Sequence, residues 1–534
     1  MIVTESPRVV TQPLSGNPLA LAAAEGRTPE DWYEPRPGNA ESWRARLDAV
    51  RSESSTKWLS ALAPAFDASG RAAERLASSS AGRGVVVTTG QQPGLFGGPV
   101  YTLCKALSAL AFADRLQEIT SIPVAPVFWA ATDDADFREA SVAAVSVTGG
   151  AQRLKIDAQG PLGRSMADMP LGDVSAELEA LARAAGSTID PVPLDLLKKF
   201  YSSQATIGSA YVALLRELFA PLGIAVLDAS HSATRNAALP ILRAALEKSA
   251  LVAERLSTRS GEIAAAGHRP QVQDVAGLSL VFASDNGERK RIPIKAALKR
   301  LTDTDLGPNV LLRPVVERSI LPTVTYVGGP AEIAYFAQVG PIADALGATR
   351  PAIVPRWSCT IIEPHVERIL EKLYLLPEDL EDPHEVERRV ALARLPKPVI
   401  AELAATREAL DERLDALSEV VDAEHAPVST AVTGGLRANL MRRLDRFERR
   451  LLAAAKRQHA DTMEEIATAR GSLYPFGTAQ ERILNFVPFL ARYGPELQRE
   501  MLGEARRHAA DIAGAAKTVG RNIEVNRQPV ETTQ

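Results

Sequence analysis

Short apolar runs, rich in β-branched residues and bordered by glycine or proline, recur between residues 80 and 365. Alanine-rich stretches of helical character separate these runs. Apolar strands that alternate with helices are typical of a parallel sheet covered by helices on both faces. The pattern therefore predicts an α/β fold with a Rossmann-like, doubly wound parallel sheet over residues 81–365. The predicted strands are Val85–Thr89, Val124–Trp129, Ile224–Leu227, Leu278–Phe282, Thr323–Val327 and Ile353–Pro355.

The segment ahead of the predicted sheet, residues 1–80, begins polar and proline-rich and becomes helical in pattern from about residue 40. It contains Trp32, Trp43 and Trp58. Tryptophan has a large apolar surface to bury. We expect a helical N-terminal segment that these tryptophans hold against the core.

Beyond the last predicted strand, heptad spacing of apolar residues takes over, with Arg and Glu between them. Such spacing indicates a coiled coil. A break at His425–Gly435, which contains a proline and two glycines, would fold residues 366–470 into an antiparallel coiled-coil arm. Residues 471–534 would return to the core as a helical segment. A self-contained hairpin and a hairpin that forms a homodimer both fit this pattern. The predicted seams are Leu410, Leu414, Leu417 and Val421 in one arm, and Leu444, Phe447, Leu451 and Ala454 in the other.

Composition narrows the classes of partner. The 534 residues carry 61 Lys and Arg against 65 Asp and Glu, which gives a net charge of −4. A chain without excess positive charge lacks the field that attracts nucleic acid or an anionic membrane, so small-molecule chemistry is favoured. No stretch reaches the roughly 18 uncharged apolar residues of a membrane span, and no secretory signal is visible. We expect a cytoplasmic protein with no nucleic-acid or membrane partner.

The two cysteines, Cys104 and Cys359, stand in apolar-leaning sequence without a CxxC pattern or a neighbouring histidine. Zinc sites need several such ligands at short spacing. We therefore predict no metal site of this kind, and we expect Cys104 to be a small buried residue of a helix rather than a nucleophile.

The densest candidate site is the loop after the first predicted strand. Within the block of residues 85–116, several glycines follow the strand, and a helix begins after them at Pro99. Glycines let backbone N–H groups approach an anion, and a helix N-terminus offers the positive end of a dipole. The loop is neither a Walker P-loop nor a GxGxxG fingerprint, and a tight turn that merely needs positive φ is the alternative. The residues predicted to bind a nucleotide cofactor here are Gly90, Gln91, Gln92, Gly94, Gly97 and Lys105.

Three aspartates, Asp133, Asp134 and Asp136, follow the second predicted strand. Open parallel sheets bind ligands at the carboxyl ends of their strands. Carboxylates in this position can orient an ammonium group, accept a proton or hold Mg²⁺. A solvated acidic loop is the alternative. Alternation along an extended segment would place Asp134 and Asp136 on one side and Asp133 on the other.

A third block, residues 309–338, repeats the arrangement of strand, glycine loop and helix. Gly328 and Gly329 follow the strand, and Glu332 lies in the first turn of the helix. Arg313 could pair with a carboxylate or phosphate because its planar fork suits both, and a structural ion pair is the alternative. We predict that the two glycine loops face one crevice, in which Gly328, Gly329 and Glu332 also contact the cofactor.

These blocks, at this spacing, resemble the cysteine ligase family of bacillithiol biosynthesis, BshC. The resemblance runs from about residue 80 to about residue 505. The segments that carry the resemblance are TTGQQPGLFGGPVYT at 88–102, PVFWAATDDADF at 126–137, PNVLLRPVVERSILPTVTYVGGPAEIAYFAQ at 308–338 and GSLYPFGTAQERILNFVPFLARYGPELQ at 471–498.

The resemblance implies a Rossmann-like core related to class I aminoacyl-tRNA synthetases, interrupted by connecting insertions. It also implies a helical coiled-coil domain that supports a homodimer. The activity it implies is the addition of L-cysteine to glucosaminyl-malate, which yields bacillithiol.

One departure from the family pattern lies in the acidic block. Family members usually carry a histidine there, in a pattern like Glu-Asp-His-Asp. This chain has Ala135 at the histidine position, and Asp133 replaces the glutamate. If that histidine is the general base or holds a phosphate, another group must act in this chain.

Amide formation from a free carboxylate needs activation, and the synthetase-like fold suggests that ATP converts cysteine to an adenylate. An acyl phosphate with release of ADP is the rival route. In this hypothesis the glycine loops hold the phosphates, with or without Mg²⁺, and Arg313 steadies negative charge. The aspartates Asp133, Asp134 and Asp136 would orient the amine and accept its proton. Two other classes stay open, a non-catalytic coiled-coil binding or scaffold protein with a degenerate site and a nucleotidyl transferase acting on another sugar.

Overall fold

The structure, a computed structural model, describes residues 6–285, 287–424 and 427–514. Part of the predicted break, residues 425–426, and the end of the predicted C-terminal segment, residues 515–534, lie outside the described residues. In chain order, strands β1 to β12 are Arg8–Gln12, Val85–Gln91, Val124–Ala130, Val142–Val147, Gly150–Lys155, Ala225–Asp228, Leu278–Asp285, Glu288–Pro293, Leu306–Pro308, Thr323–Gly328, Ile353–Pro355 and Ser358–Ile362.

Helices account for most of the remaining residues. In chain order, helices α1 to α21 are Pro18–Ala24, Ala40–Glu53, Trp58–Phe66, Gly70–Ala81, Val100–Thr120, Phe137–Ala140, Ser175–Ala185, Val192–Phe200, Ile207–Phe219, Ser232–Glu247, Ser249–Ala265, Arg313–Ile320, Pro330–Phe336, Gly340–Leu346, Pro364–Leu373, Pro383–Ala393, Lys397–Ala423, Thr430–Gln458, Ala460–Leu473, Gln480–Ile483 and Val487–Gly514.

The described chain divides into two compact units. Of the described residues, the larger unit holds those within Val9–Val145, Arg153–Thr360 and 484–514. The smaller unit holds residues 6–8, a short segment at 146–152, and the described residues within Ile361–Ile483.

A five-stranded parallel sheet with the strand order β11-β10-β2-β3-β6 forms the core of the larger unit. All four strand pairs in it are parallel. β2 and β3 are buried along almost their whole length, as expected where helices cover both faces. The predicted Rossmann-like parallel sheet is thereby confirmed, and five of the six predicted strands form it. The relation to class I aminoacyl-tRNA synthetases stays a prediction.

The prediction for the remaining strand, Leu278–Phe282, was wrong about its sheet. This segment is part of β7, which pairs antiparallel with β8 and with β9 in a separate three-stranded sheet. β8 begins at Glu288, only three positions after β7 ends at Asp285. Such a short connection permits only an antiparallel pair, since a parallel crossover needs a dozen or more residues. Two further two-stranded sheets are formed by β1 with β12 and by β4 with β5.

The N-terminal tryptophans are buried as predicted, with Trp32, Trp43 and Trp58 only 3%, 1% and 6% exposed. Trp43 of α2 packs edge-on against Phe112 of α5, with ring centroids 5.4 Å apart. Trp58 of α3 joins the apolar cluster on one face of the parallel sheet. Tryptophan burial therefore holds this helical segment on the sheet layer.

Helix α5 runs through the centre of the larger unit and packs against β2, β3 and α21. It bears Cys104, whose Sγ lies 3.6 Å from Sγ of Cys359 on β12. Both cysteines are fully buried and neither forms a disulfide. This confirms the expectation that Cys104 is a small buried residue of a helix.

In the smaller unit, α17 and α18 run antiparallel. Arg407 pairs with Asp445 at 2.8 Å, and Arg437 pairs with Asp411 at 2.7 Å. Residue numbers that rise along α17 therefore fall along α18, as in a hairpin. The predicted helical coiled-coil hairpin is confirmed.

The inward face of the hairpin differs in part from the predicted seam. Leu414 is buried, but Leu417 is 43% exposed and Phe447 is 55% exposed. In the second arm the buried alanine is Ala455, whereas Ala454 is exposed. Heptad spacing fixes the repeat, but contacts between the arms select the face.

The predicted break is also shorter than expected. Helix α18 begins at Thr430 and includes Gly434 and Gly435. Each glycine costs about 1 kcal/mol in a helix interior, which the rest of a helix of 29 residues outweighs.

Candidate active site

The strand order creates a crevice where the chain reverses its direction across the sheet. From β2 the chain moves outward to β3 and β6, and it then returns to the other side of β2 as β10. Open α/β sheets bind ligands at this topological switch point, outside the carboxyl ends of the strands. Tyr326 of β10 pairs with Thr88 of β2, so the loops that follow Gln91 and Gly328 leave the same edge of the sheet. The two glycine loops are therefore neighbours, as predicted, and their binding of one ligand stays a prediction; we call this place the switch-point crevice.

A buried ion pair joins the two loops in the crevice. Nζ of Lys105, on α5, donates to O of Gly90 at 2.7 Å, to Oε1 of Gln91 at 2.8 Å and to Oε2 of Glu332 at 2.8 Å. Glu332 also accepts the N–H of Gly329 and the hydroxyl of Tyr326, each at 2.7 Å. The three N–H groups of Lys105 are therefore all used within the protein. This favours a positioning role for Lys105 over the predicted contact with a nucleotide, which stays a prediction.

The ion pair changes the proton affinity of both partners. Burial lowers the pKa of Lys105, and the negative charge of Glu332 opposes this effect. Burial raises the pKa of Glu332, but contacts with Lys105, Tyr326 and Gly329 outweigh burial and lower it overall. Glu332 is accordingly held as a carboxylate.

Glu139, on the short helix α6, connects the acidic block to the first glycine loop. Its Oε1 accepts the side-chain N–H of Gln91 at 3.2 Å and the hydroxyl of Tyr101 at 3.2 Å, and its Oε2 accepts from Gln92. Gln91 also donates to the Tyr101 hydroxyl at 3.0 Å. Sequence reasoning missed Glu139 and Tyr101, although both lie inside the blocks that it singled out.

The three aspartates have separate partners. Asp133 accepts a hydrogen bond from Arg289 at 3.3 Å. Asp134 accepts the backbone N–H of Asp136 at 2.8 Å, and Asp136 caps α6 by accepting the N–H of Glu139 at 3.2 Å. Burial raises the pKa of Asp134 despite its hydrogen bond from Asp136. The division of Asp133 from the other two agrees with the predicted alternation, and their catalytic roles stay predictions.

Arg313 begins α12, and its side chain has only one hydrogen bond among the described residues. Its Nη2 donates to the hydroxyl of Tyr335 at 3.1 Å. The alternative left open, a structural ion pair with Glu317 or a neighbour, is not formed within the described part of the chain, and Glu317 instead accepts from Thr88. The remaining N–H groups of Arg313 are available to an anionic ligand.

Glu317 is an additional buried acid that sequence reasoning did not place in the site. It is 2% exposed, and its Oε2 has no hydrogen-bond partner among the described residues. Burial raises its pKa to about 7, although the hydrogen bond from Thr88 acts in the opposite direction.

Arg356 is a third cation near the crevice, also missed. It follows β11, and its backbone N–H donates to O of Gly328 at 2.9 Å. Its guanidinium lies 5.8 Å from the ring centroid of Tyr101. The same reasoning that selected the other strand ends would have found it, because Arg356 directly follows a predicted strand. Three cations, Lys105, Arg313 and Arg356, thus lie around this strand edge.

Four of the five predicted glycines leave little room for a side chain. At Gly90, a Cβ would lie 2.8 Å from the backbone oxygen of Trp129. Gly97 also has φ of +89°, in the region that favours glycine. The alternative left open for the first loop, a tight turn that merely needs positive φ, fits Gly97 but not Gly90 or Gly94, and anion binding by the backbone of these glycines stays a prediction. Cβ atoms at Gly94, Gly97 and Gly328 would lie 2.7, 2.9 and 2.7 Å from Gly98, Phe486 and Ile353, respectively, whereas at Gly329 the nearest atom, in Arg356, is 3.3 Å away.

Within residues 6–285, 287–424 and 427–514, no group of three or more His, Cys, Asp or Glu side chains is arranged to hold a metal ion. Of the helices that the structure describes, none is long and apolar enough to cross a membrane.

Two family matches together cover most of the chain. Residues 23–357 match the family described as "Bacillithiol biosynthesis BshC, N-terminal Rossmann-like domain". Residues 359–511 match the one described as "Bacillithiol biosynthesis BshC, C-terminal coiled-coil domain". The first match includes helices α2 to α4, so these helices belong to the same family domain as the sheet.

Curated proteins named "Putative cysteine ligase BshC" are similar over most of their length. That of Solibacter usitatus is 31% identical over 434 residues, which cover 77% of this chain and 81% of the relative. That of Koribacter versatilis is 32% identical over 440 residues, or 77% of this chain and 80% of the relative. That of Carboxydothermus hydrogenoformans is 26% identical over 507 residues, or 88% of this chain and 92% of the relative. Parallel sheet, coiled-coil hairpin and sequence agree, and the chain belongs to the BshC family of ligases in bacillithiol biosynthesis.

Proposed function

We propose that this chain joins L-cysteine to glucosaminyl-malate in the cytoplasm, after ATP has activated the cysteine carboxylate. The family membership supplies the substrates of this proposal. The structural observation that carries it is Arg313, a guanidinium with unused N–H groups near the Lys105–Glu332 pair. A charged fork of this kind suits the carboxylate and phosphate oxygens of the reaction.

The reaction forms one amide bond at the expense of one phosphoanhydride bond. An oxygen of the cysteine carboxylate attacks the α-phosphorus of ATP, and pyrophosphate leaves. The aminosugar amine then attacks the activated carbonyl, AMP leaves, and the amine loses a proton to a base. In the rival route, attack at the γ-phosphorus releases ADP and gives an acyl phosphate.

Charge in the crevice supports the binding of anionic groups. Lys105 and Glu332 neutralise each other, while Arg313 adds positive charge. Preorganised charges of this kind stabilise negative charge that develops in a transition state. Arg313 would steady the negative charge that develops on the phosphate, and the Lys105–Glu332 pair would hold both loops in place.

Asp134 is our candidate for the proton acceptor, because this chain has Ala135 where family members carry a histidine. Burial raises its pKa, which brings a carboxylate closer to the value that suits a base near neutral pH. Asp133 and Asp136 would help to orient the amine. If Mg²⁺ accompanies ATP, one carboxylate such as Glu139 would suffice, since phosphates and water supply its other ligands.

The test is a reconstituted reaction of the full chain with ATP, Mg²⁺, L-cysteine and glucosaminyl-malate. We expect the thiol product together with AMP, in equal amounts. Product with ADP would replace the adenylate by an acyl phosphate, and product without nucleotide consumption would refute ATP activation. Absence of product under all these conditions would refute the ligase.

Thiol profiling of a strain that lacks the gene separates the other two classes of function. Loss of bacillithiol with accumulation of its aminosugar precursor supports the ligase. An unchanged thiol pool favours a scaffold protein or a nucleotidyl transferase that acts on another sugar.

We also propose that the hairpin forms a homodimer. Apolar side chains on α17, α18 and the connection between them are exposed, and a second copy of the hairpin would cover them. Light scattering should show a dimer of the full chain and a monomer after Phe447→Glu. Val192→Glu, at an equally exposed valine of the larger unit, serves as the control. A monomeric wild type would contradict the proposal. The exposed side chains include Leu417, Val420, Val428, Val432, Leu436 and Phe447.

A further inference from the structure

A second concavity, separate from the Lys105–Glu332 pair, lies at the ends of β3 and β6. It is a pocket of about 120 Å³, and we call it the side pocket. Its walls are the ends of these two strands, helix α10 and the antiparallel sheet β7–β9. The volume suits a small amino acid but not a nucleotide, because one water needs about 10–15 Å³ on this measure. The residues that line it include Trp129, Asp133, Asp168, Ser230, Arg289 and Leu242.

Two lining residues have buried polar atoms without a partner. Nε1 of Trp129, a residue 3% exposed, and Oγ of Ser230 have no hydrogen-bond partner among the described residues. An unsatisfied buried donor costs about 1–3 kcal/mol. Because both residues line one pocket, both atoms are candidates for contact with a ligand.

Arg289 adds a cation to the same lining. Its Nη2 is 3.3 Å from Oδ2 of Asp133 and 3.3 Å from O of Pro308, both near the long limit of a hydrogen bond. Its guanidinium also lies 4.7 Å from the ring centroid of Phe282. Arg289 is therefore held in position while its hydrogen bonds within the protein are weak.

The lining contains side chains of both charges. Asp133 and Asp168 lie in the same pocket as Arg289, while Ala238 and Leu242 supply apolar surface. The aspartates would repel a dicarboxylate, and the arginine would repel a simple cation. A zwitterion satisfies both signs, with its carboxylate on the N–H and O–H donors and its ammonium group near the aspartates.

We propose that the side pocket binds the α-amino acid substrate, with the short side chain against the apolar wall. The inference rests on the proposed function, because it assigns one substrate of that reaction to a place. Trp129 pairs with Gly90 across β3 and β2, so the pocket is one strand away from the switch-point crevice. The amino acid would thus be held beside the crevice in which its carboxylate reacts.

Calorimetric titration of the full chain with L-cysteine, under reducing conditions and without nucleotide, tests the assignment. Trp129→Phe keeps the aromatic ring but removes the N–H, and we expect binding to weaken about ten-fold or more, as for loss of a hydrogen bond to a charged group. Ser230→Ala should weaken it by a similar or smaller factor. L-malate should not compete with L-cysteine.

Trp43→Phe is the matched control, because Nε1 of Trp43 is also buried without a partner but lies outside the pocket. It should change L-cysteine binding by less than about two-fold while causing a comparable loss of packing. Equal binding by wild type and Trp129→Phe, an equal loss in Trp43→Phe, competition by L-malate, or no binding of L-cysteine to the wild type would each overturn the assignment.

Failure of the pocket and failure of the ligase give different results. If L-cysteine binds with the expected pattern but no ligation occurs, the proposed function falls and the pocket stands. If ligation proceeds and Trp129→Phe leaves the KM for cysteine unchanged, the pocket falls and the ligase stands. A higher KM for cysteine with an unchanged KM for ATP supports both.

Discussion

The switch-point crevice and the side pocket occupy neighbouring strand ends of one sheet, but they differ in how their polar groups are satisfied. In the crevice, Lys105 donates to three acceptors and Glu332 accepts from three donors at 2.7–2.8 Å. In the side pocket, Trp129 and Ser230 lack partners and Arg289 has only long contacts. Groups already ordered by the protein need no rearrangement when charge develops, whereas unsatisfied groups are completed by a ligand. The difference indicates one region built for chemistry and another built for recognition.

The largest expected effect concerns the crevice. Lys105→Met would leave Glu332 as an unpaired buried charge, and the free energy of unfolding should fall by about 3–5 kcal/mol. Denaturant titration measures this change. Glu332→Gln added to Lys105→Met should restore part of the loss. Arg115→Ala, which breaks a surface pair with Glu118, should cost no more than about 1 kcal/mol. A single Lys105 variant as stable as the Arg115 variant would show that the crevice is not preorganised by this pair.

Next in size is the effect of Arg313 on the reaction rate. Arg313→Gln removes the charged fork, and kcat for ligation should fall by roughly 10²–10³, as for other groups that stabilise developing negative charge. The KM for cysteine should change little, because that substrate is assigned to the side pocket. Steady-state kinetics would show this. Arg318→Lys is the control, because Arg318 lies on the same helix and pairs with Glu53 at 2.7 Å. Equal losses in the two variants would mean that α12 is merely structural.

The pH dependence of stability provides a third measurement. The pKa of Glu317 is raised from 4.5 to about 7 in the folded protein. The unfolded chain therefore releases this proton at lower pH, and the stabilising contribution is lost as pH rises from about 4.5 to about 7. The loss is of the order of 3 kcal/mol. Unfolding curves of wild type and Glu317→Gln at pH 5 and pH 8 should differ in this way, with the variant less sensitive to pH. Glu118→Gln, at an exposed site, should retain the wild-type dependence. If wild type and Glu317→Gln lose the same stability between pH 5 and pH 8, Glu317 does not cause the pH dependence.

The smallest predicted effect is at the boundary between the two regions. Gly90→Ala would place a Cβ 2.8 Å from the backbone oxygen of Trp129 and 3.0 Å from its Cβ, so β2 or β3 must shift. We expect a loss of about 1–3 kcal/mol in the free energy of unfolding, together with weaker L-cysteine binding. Gly503→Ala, in a helix with no atom near the new Cβ, should be neutral or stabilising. Thermal unfolding and calorimetry measure both changes. Unaltered cysteine binding in a destabilised Gly90 variant would indicate that the regions are independent.

The parallel sheet could be predicted from sequence because its strands are short, continuous and apolar. β3, for example, is buried at all seven positions, so its whole sequence has to be apolar. The run at β7 is equally apolar but belongs to an antiparallel sheet. Its sequence signal was the Asp285-Asn286-Gly287 turn pattern directly after it, which favours a hairpin. Apolar content alone does not distinguish the two kinds of pairing.

The candidate site was predictable in position but not in its contacts. Gly90 and Gly328 could be placed at one edge because both follow parallel strands. The partner of Asp133 could not be predicted, since Arg289 is 156 residues away and comes from the antiparallel sheet. Likewise, heptad spacing predicted the hairpin but not that Phe447 would face outward. Such contacts depend on tertiary packing, which local patterns do not encode.

The location of the two cysteine thiols has a practical consequence for experiments on a thiol-forming reaction. Cys104 and Cys359 are the only cysteines in the chain, and both are enclosed in the interior. Alkylating reagents react with accessible thiolates, so the folded protein should contribute almost no background. Maleimide or bimane labelling could then follow free cysteine and product thiol in the presence of enzyme at substrate-like concentrations, and delayed labelling of the protein would report its unfolding.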